Sequence, residues 1–145
     1  MRIEVSGTRE VVAVLEGMQA RTRDLSPALG QVADWLAGQM QEAFDTAGGN
    51  LPKPWAPLAS DTRDAKAARG LDPRVLVRRG DLMGSLADRG HARHRETITD
   101  DELRFGTRSP VVPLLRYHGR DPIQVPRDME PAARIVERWV AEGIA

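Results

Sequence analysis

Three histidines, His91, His94 and His118, are the side chains of this sequence best suited to acid–base or metal chemistry, and two of them stand three positions apart. On a helix that spacing would bring both imidazoles to one metal ion. In a strand it sends them to opposite faces, and no acidic residue stands where it would complete a ligand set. No metal is therefore expected. A hydrolase built on His91, His94 and Asp100 or Asp101 would lack a nucleophile, because no serine sits in a nucleophile elbow. The remaining carboxylates are scattered and form no acid–base pair. Gly48-Gly49 lacks the lysine and hydroxyl of a phosphate loop and reads as a helix stop. Arg120, Asp121, Arg127 and Asp128 read as solvated ion pairs. Without a cysteine, a disulfide framework, a thiolate zinc site and a cysteine nucleophile are all excluded. The expectation is a chain with no catalytic residues and no cofactor.

Binding motifs fare differently. Arg79-Gly80-Asp81 is the tripeptide of integrin ligands, but it directly precedes the apolar residues Leu82, Met83 and Leu86. Gly80 there reads as a bend and Asp81 as a helix cap accepting free amides. The stretch from Arg63 to Arg79 is modestly basic. It contains no aromatic residue for stacking, and Asp64 and Asp72 dilute it. A small nucleic-acid-binding or regulatory protein using this region is the alternative reading.

The elements that must position these residues follow from patterning. At 145 residues, 41% hydrophobic and 29% charged, the chain suits one globular domain spanning residues 1–145 and not a disordered segment. Zero net charge gives no global pull toward nucleic acid or anionic membrane. No run is long and apolar enough for a membrane span or a signal peptide, so synthesis in the cytoplasm is expected. Only Lys53 and Lys66 are lysines among 21 basic residues, and the arginines suit carboxylate pairing at interfaces. Arg2–Val5 alternates as a first strand. Thr8 caps a helix carrying Val11, Val12, Leu15 and Met18. Ser26-Pro27, a capping hydroxyl followed by proline at the first helical position, opens a longer one carrying Leu29, Val32, Leu36, Met40, Ala43 and Phe44, which Gly48-Gly49 ends. Residues 50–60 form a proline-rich loop offering Trp55 and Leu58. A short helix covers about 60–69 and a second starts at Asp81. His91–Thr99 and Glu102–Thr107 bracket Asp100-Asp101 as a hairpin. Val111–His118 is ambiguous, Ile123–Val125 reads as a last strand, and Asp128–Gly143 as a closing helix. The fold expected is α+β: a small, mostly antiparallel sheet with two N-terminal helices and a C-terminal helix packed on it.

Several of these residues, in order, resemble the virion-morphogenesis and tail-completion family of tailed bacteriophages. Trp55, Leu58, Thr62 and Lys66 match the family's tryptophan–leucine–threonine–lysine spacing, and Pro57 fits it. Gly80, Leu82 and Ser85 match a glycine-x-leucine-x-x-serine segment, and Gly106-Thr107 a glycine-threonine at a strand end. Tyr117, His118 and Gly119 match an aromatic segment, and Pro126-Arg127 a motif before the last element. The resemblance covers residues 55–127 and departs from the family around 109–118, where a proline is added and an alanine is missing. It implies a non-enzymatic structural protein of the virion neck, at the head–tail junction, acting as a tail terminator or stopper. The implied partners are further copies in a hexameric or dodecameric ring, adjacent connector and tail-tube proteins, and DNA as passing lumen cargo, with no membrane. Trp55, in its loop, is the signature residue expected to reach a partner.

Overall fold

The computed structural model describes residues 8–145, and the strand expected at Arg2–Val5 lies outside them. Helices α1 (Thr8–Arg23), α2 (Ser26–Asp45), α3 (Ser60–Ala68) and α4 (Asp81–Ala87) come first. Strands β1 (His94–Ile98) and β2 (Leu103–Thr107) follow, then helices α5 (Val112–Tyr117) and α6 (Glu130–Glu142). The architecture is α+β, with a two-stranded antiparallel sheet, α4 and α6 packed on α2, and α1 packed on α6.

Helix α2 is the axis of the domain. Pro27 occupies its first turn, where a missing N–H costs nothing. Ser26 is not the cap: Leu25 stands in that position with no side-chain bond, and the Asp24 carboxylate one residue earlier accepts from the Ser26 amide at 3.0 Å and the Ser26 hydroxyl at 2.6 Å. An ionised acceptor suits the positive end of a helix better than a hydroxyl does. Its deepest positions are held by small residues, Ala28, Ala33, Ala37 and Ala43, together with Val32, Met40 and Phe44. Small side chains let α4 and α6 approach the α2 backbone. Leu29 and Leu36, expected in the core stripe, are only partly buried.

The helix stops at Asp45 rather than at the glycine pair. Gly48 N–H reaches back to the Ala43 carbonyl at 2.7 Å, and Ala47 adopts φ 52°. This is a Schellman stop with alanine in the left-handed position. Gly48 itself has φ 80°, and a Cβ there would lie 3.0 Å from the Trp55 backbone nitrogen. Glycine is thus required twice over, by conformation and by the return of the chain.

That return carries Trp55 into the core. Its ring lies 5.1 Å from that of Phe44, tilted by 59°, among Met40, Leu51, Val75, Val77 and Leu86. The expectation that Trp55 reaches a partner is corrected: it is 4% exposed, and its indole N–H donates to the Asp121 carbonyl at 2.9 Å. A proline-rich loop has few amides for pairing, so one large side chain fastens it.

In the hairpin, His94 pairs with Thr107, Glu96 with Phe105 and Ile98 with Leu103. These pairs share the inward face, while Arg95, Thr97 and Arg104 face solvent. The Asp100 carbonyl at the tip accepts from the Leu25 amide at 2.7 Å, docking the hairpin on the α1–α2 junction.

Two ambiguous segments resolve. Residues 112–117 are helical as α5, ended by Gly119 at φ 71° with the Arg120 amide returning to the Leu115 carbonyl at 2.9 Å. Ile123–Val125 is not a strand. Pro122 and Pro126 flank it and supply no ladder amides. The Gln124 side chain pairs instead with Lys53, accepting from its amide and donating to its carbonyl, both at 3.0 Å. Helix α1 forms as expected, but Val11, Val12 and Leu15 are exposed. Only its C-terminal half packs, on α6, where Arg21 donates to the Val140 carbonyl at 2.7 Å and the Ala141 carbonyl at 3.0 Å.

Trp55→Ala is expected to destabilise the monomer by about 3–5 kcal/mol through the cavity it leaves. Trp55→Phe should lose about 1 kcal/mol with the bond to Asp121. Denaturant unfolding of the two variants measures both; an unchanged Trp55→Ala midpoint would remove Trp55 from the core.

Candidate interaction site

An apolar groove of about 500 Å³ opens where the loop between α3 and α4 faces α5. Its walls include Leu58, Leu76, Leu114 and Leu115, and its rim carries Arg78, Arg79 and Arg93 against one carboxylate, Asp81. Three features of the chain build it.

The first is Lys66. Helix α3 buries none of its residues, and Lys66 alone among residues 61–70 is partly covered. Its ammonium donates to the Arg74 carbonyl at 2.8 Å and the Val77 carbonyl at 2.6 Å. Burial pulls the amine below the usual lysine range, and Asp72 opposes that in part. The two carbonyls bracket Leu76, which holds φ 61°. A left-handed leucine is strained by about 1–3 kcal/mol and persists only where its surroundings fix it. Val75 and Val77 are buried in the core, and Leu76, half-buried against the same core, lines the groove together with Val77. Asp72 braces the same loop, accepting from Arg74 and held down to about 2 by those bonds. Arg74 also reaches Asp45 at 2.6 Å.

The second is the start of α4. Gly80 takes φ 81° and is itself the residue before the helix, with its carbonyl accepting from Gly84 at 2.7 Å. The bend is as expected. The cap expected from Asp81 is absent: its side chain makes no capping bond, because it lies inside the first turn, past the capping position.

The third is a chain of hydroxyls behind the groove. Ser85 is fully buried and donates to the Leu82 carbonyl at 2.7 Å. Thr107 Oγ1 lies 2.6 Å from Ser85 Oγ and accepts from the Ser109 amide at 3.0 Å. With the Ser85 proton committed to Leu82, the order is Ser109 N–H to Thr107 to Ser85 to Leu82, each group satisfied once. It locks the end of β2 to α4 and sets the entry to α5.

The signature residues therefore fall into two groups. Trp55, Lys66, Leu82, Ser85 and Thr107 hold segments together, and Leu58 lines the groove. Arg127 joins the first group, donating from its guanidinium to the Gly49 carbonyl and from its amide to the Asn50 carbonyl at 3.0 Å. Thr62, Tyr117, His118 and Gly119 are exposed. Tyr117, 84% exposed, meets His118 edge to face at 5.3 Å. Gly106 lies in β2, where a Cβ would meet nothing. Of the basic stretch, Lys66 and Arg74 are turned inward by their bonds, while Arg63, Arg69, Arg78 and Arg79 remain exposed.

The histidines do not converge. His91 accepts from the Arg93 amide at 3.1 Å. His94 faces the Ser85 carbonyl at 2.8 Å with Nδ1 and the Glu96 carboxylate at 3.1 Å with Nε2. Both partners are hydrogen-bond acceptors. No group of metal-binding side chains gathers among the described residues. Sequence reasoning missed the network that does form here. Arg89 clasps Glu96 with two nitrogens and donates to Asp34 at 2.6 Å and to the Gly30 carbonyl at 3.1 Å. The signal was present, since His94 and Glu96 are two apart in a strand and share its inward face. Arg89 holds the Glu96 carboxyl below the usual range, with His94 adding to that and burial opposing it.

No family model matches the chain, and no curated protein or solved structure is detectably similar to it.

Lys66→Met should free the loop around Leu76 and with it α3. Protease cleavage between residues 60 and 80 is then expected to accelerate at unchanged global stability; wild-type cleavage would show that the ammonium bonds hold nothing. The carboxyls also fix the sign of an acid effect. Glu96 and Asp72 are lowered in the folded state, so their stabilisation is complete above the usual carboxylate range and is lost as pH falls through the folded values, about 2 for Asp72. Glu96→Gln should flatten the acid side of a stability–pH curve, and a curve parallel to wild type would count against the Arg89 clasp.

Proposed function

We propose that this chain is a structural protein of the neck of a tailed bacteriophage or prophage, completing the tail or connector so that heads and tails join. In this reading it works as a ring of identical subunits, as tail terminator or stopper, and performs no catalysis. The observation that carries the proposal is what the resembling residues do. Trp55, Ser85 with Thr107, and Arg127 each close a contact between segments distant in sequence, and Lys66 fastens the loop that follows its own helix. The other matched positions, Thr62, Gly106, Tyr117, His118 and Gly119, carry no such contact, so the reading leans on the first group. Exposed apolar side chains at Val111, Leu114 and Tyr117 give such a subunit surface for neighbours.

A phage or prophage deleted for this gene is expected to yield filled heads and complete tails that remain separate in electron micrographs, with joining restored by the gene in trans. Normal virions from the deletion would overturn the reading. Salt-sensitive duplex binding by the purified chain, with virions normal, would favour the nucleic-acid alternative carried by Arg63, Arg69, Arg78 and Arg79.

A further inference from the structure

The two-stranded sheet has unpaired edges, and one of them is complementary to itself. The Thr99 amide donates to the Glu102 carbonyl and the Arg108 amide to the Arg93 carbonyl. Bonded and unbonded pairs alternate along an antiparallel ladder, so Arg95–Gly106 and Thr97–Arg104 are the bonded pairs between those two. The N–H and C=O groups of Leu103, Phe105 and Thr107 therefore point away from β1, and they make no hydrogen bond among the described residues. Of the described helices only α2 and α4 touch β2, and both touch β1 as well, which places them under the inward face of the sheet and not along this edge. The strand carries neither a proline nor a bulge that would blunt it against pairing.

An extended backbone satisfies such a row of donors and acceptors, and the side chains select a second copy of β2. Two copies paired antiparallel about Phe105 set Leu103 against Thr107, and Phe105 against its counterpart, on the inward face. On the solvent face Glu102 then stands opposite Arg108, and Arg104 opposite Gly106, where a Cβ would meet nothing. Arg108 makes no ion pair among the described residues, and the two-fold relation gives it a carboxylate partner twice over. Opposite charges and paired aromatic rings both favour cross-strand pairing. The neighbouring registers, centred on Arg104 or Gly106, set arginine against arginine. The β1 edge fits less well. His94 spends its amide on the His91 carbonyl at 2.9 Å, and pairing about Glu96 would put two carboxylates face to face.

We infer that β2 pairs antiparallel with β2 of a second copy, centred on Phe105, to give one continuous four-stranded sheet across a two-fold axis. Such an isologous contact closes on itself and makes pairs of chains. It stands apart from the neck reading, and within a ring it fits an even-numbered assembly built from pairs.

The cysteine-free chain gives a direct test. Arg104→Cys and Gly106→Cys change solvent-face positions. Mixed and oxidised, they should form the mixed disulfide in preference to either homodimer, because this register brings those two Cα atoms to about 4.5 Å and leaves like positions too far apart to bridge. Predominant homodimer disulfides would overturn the inference. Charge reversal provides a second measurement on the purified full chain. Glu102→Arg and Arg108→Glu should each weaken self-association by about tenfold, read from the concentration dependence of mass above the 16.0 kDa monomer. The double variant should recover it, and a double variant no stronger than the single ones counts against the pairing. In wild type, amide exchange at Leu103 and Phe105 should slow as concentration rises, with exchange at Glu96 and Ile98 unchanged. Slowing at Glu96 and Ile98 instead would place the contact on the other strand. Wild type that keeps the monomer mass throughout would leave the edge to a different chain and end the case for self-pairing.

Discussion

Trp55 is fixed by two constraints that arise far apart in the chain. Its ring needs the face of Phe44 at the end of α2, and its N–H needs the carbonyl of Asp121 beyond α5. Satisfying both brings the proline-rich loop, the last turns of α2 and the connector to α6 to one point. The turn at Gly48 exists to permit this approach, since any side chain there would press on the Trp55 backbone. Leu51, Val75, Val77, Leu82, Leu86 and Val112 then fill the space around the indole. A domain with so few aromatic residues spends one of its three tryptophans on this junction, and large rings fill irregular space at little entropic cost.

A two-stranded sheet supplies few backbone ties, and the fold compensates with side chains that bond to backbone carbonyls. Arg21 holds α6, Arg89 holds α2, Arg120 reaches Ala56 and Pro57, and Lys66 holds the loop above the groove. Composition pointed to arginine as an interface residue, and much of the arginine here works inside one chain. A guanidinium with five donors can satisfy a carbonyl and a carboxylate together, as Arg89 does with Gly30, Asp34 and Glu96. Long cationic side chains are thus spread through the fold as ties between elements that share little apolar area.

The same economy explains where apolar surface remains uncovered. Core formation is concentrated around α2, α4 and Trp55, and the elements furthest from it, the start of α1 and the outer side of α5, keep their valines and leucines in solvent. In a free monomer such patches favour association.

Much of this was legible in the order of residues. Pro27 and the α2 stripe point to a long central helix, Asp100-Asp101 to the hairpin turn and Gly80 to a bend, because each depends on interactions within a few residues. The errors have one origin. Ser26 and Asp81 were read as caps where neighbouring residues take that position, and Ile123–Val125 was read as a strand although its flanking prolines leave no ladder. Trp55 was read as outward-facing because loop membership says nothing about which way a side chain turns. Local chemistry determined the elements and their ends. Only the tertiary structure decided that Trp55 is core, that Ser85 and Thr107 share a proton chain, that Lys66 pins Leu76 and that α1 is left bare. Each of those depends on which distant atom lies within a few ångströms, and that is set by the packing of all the elements together.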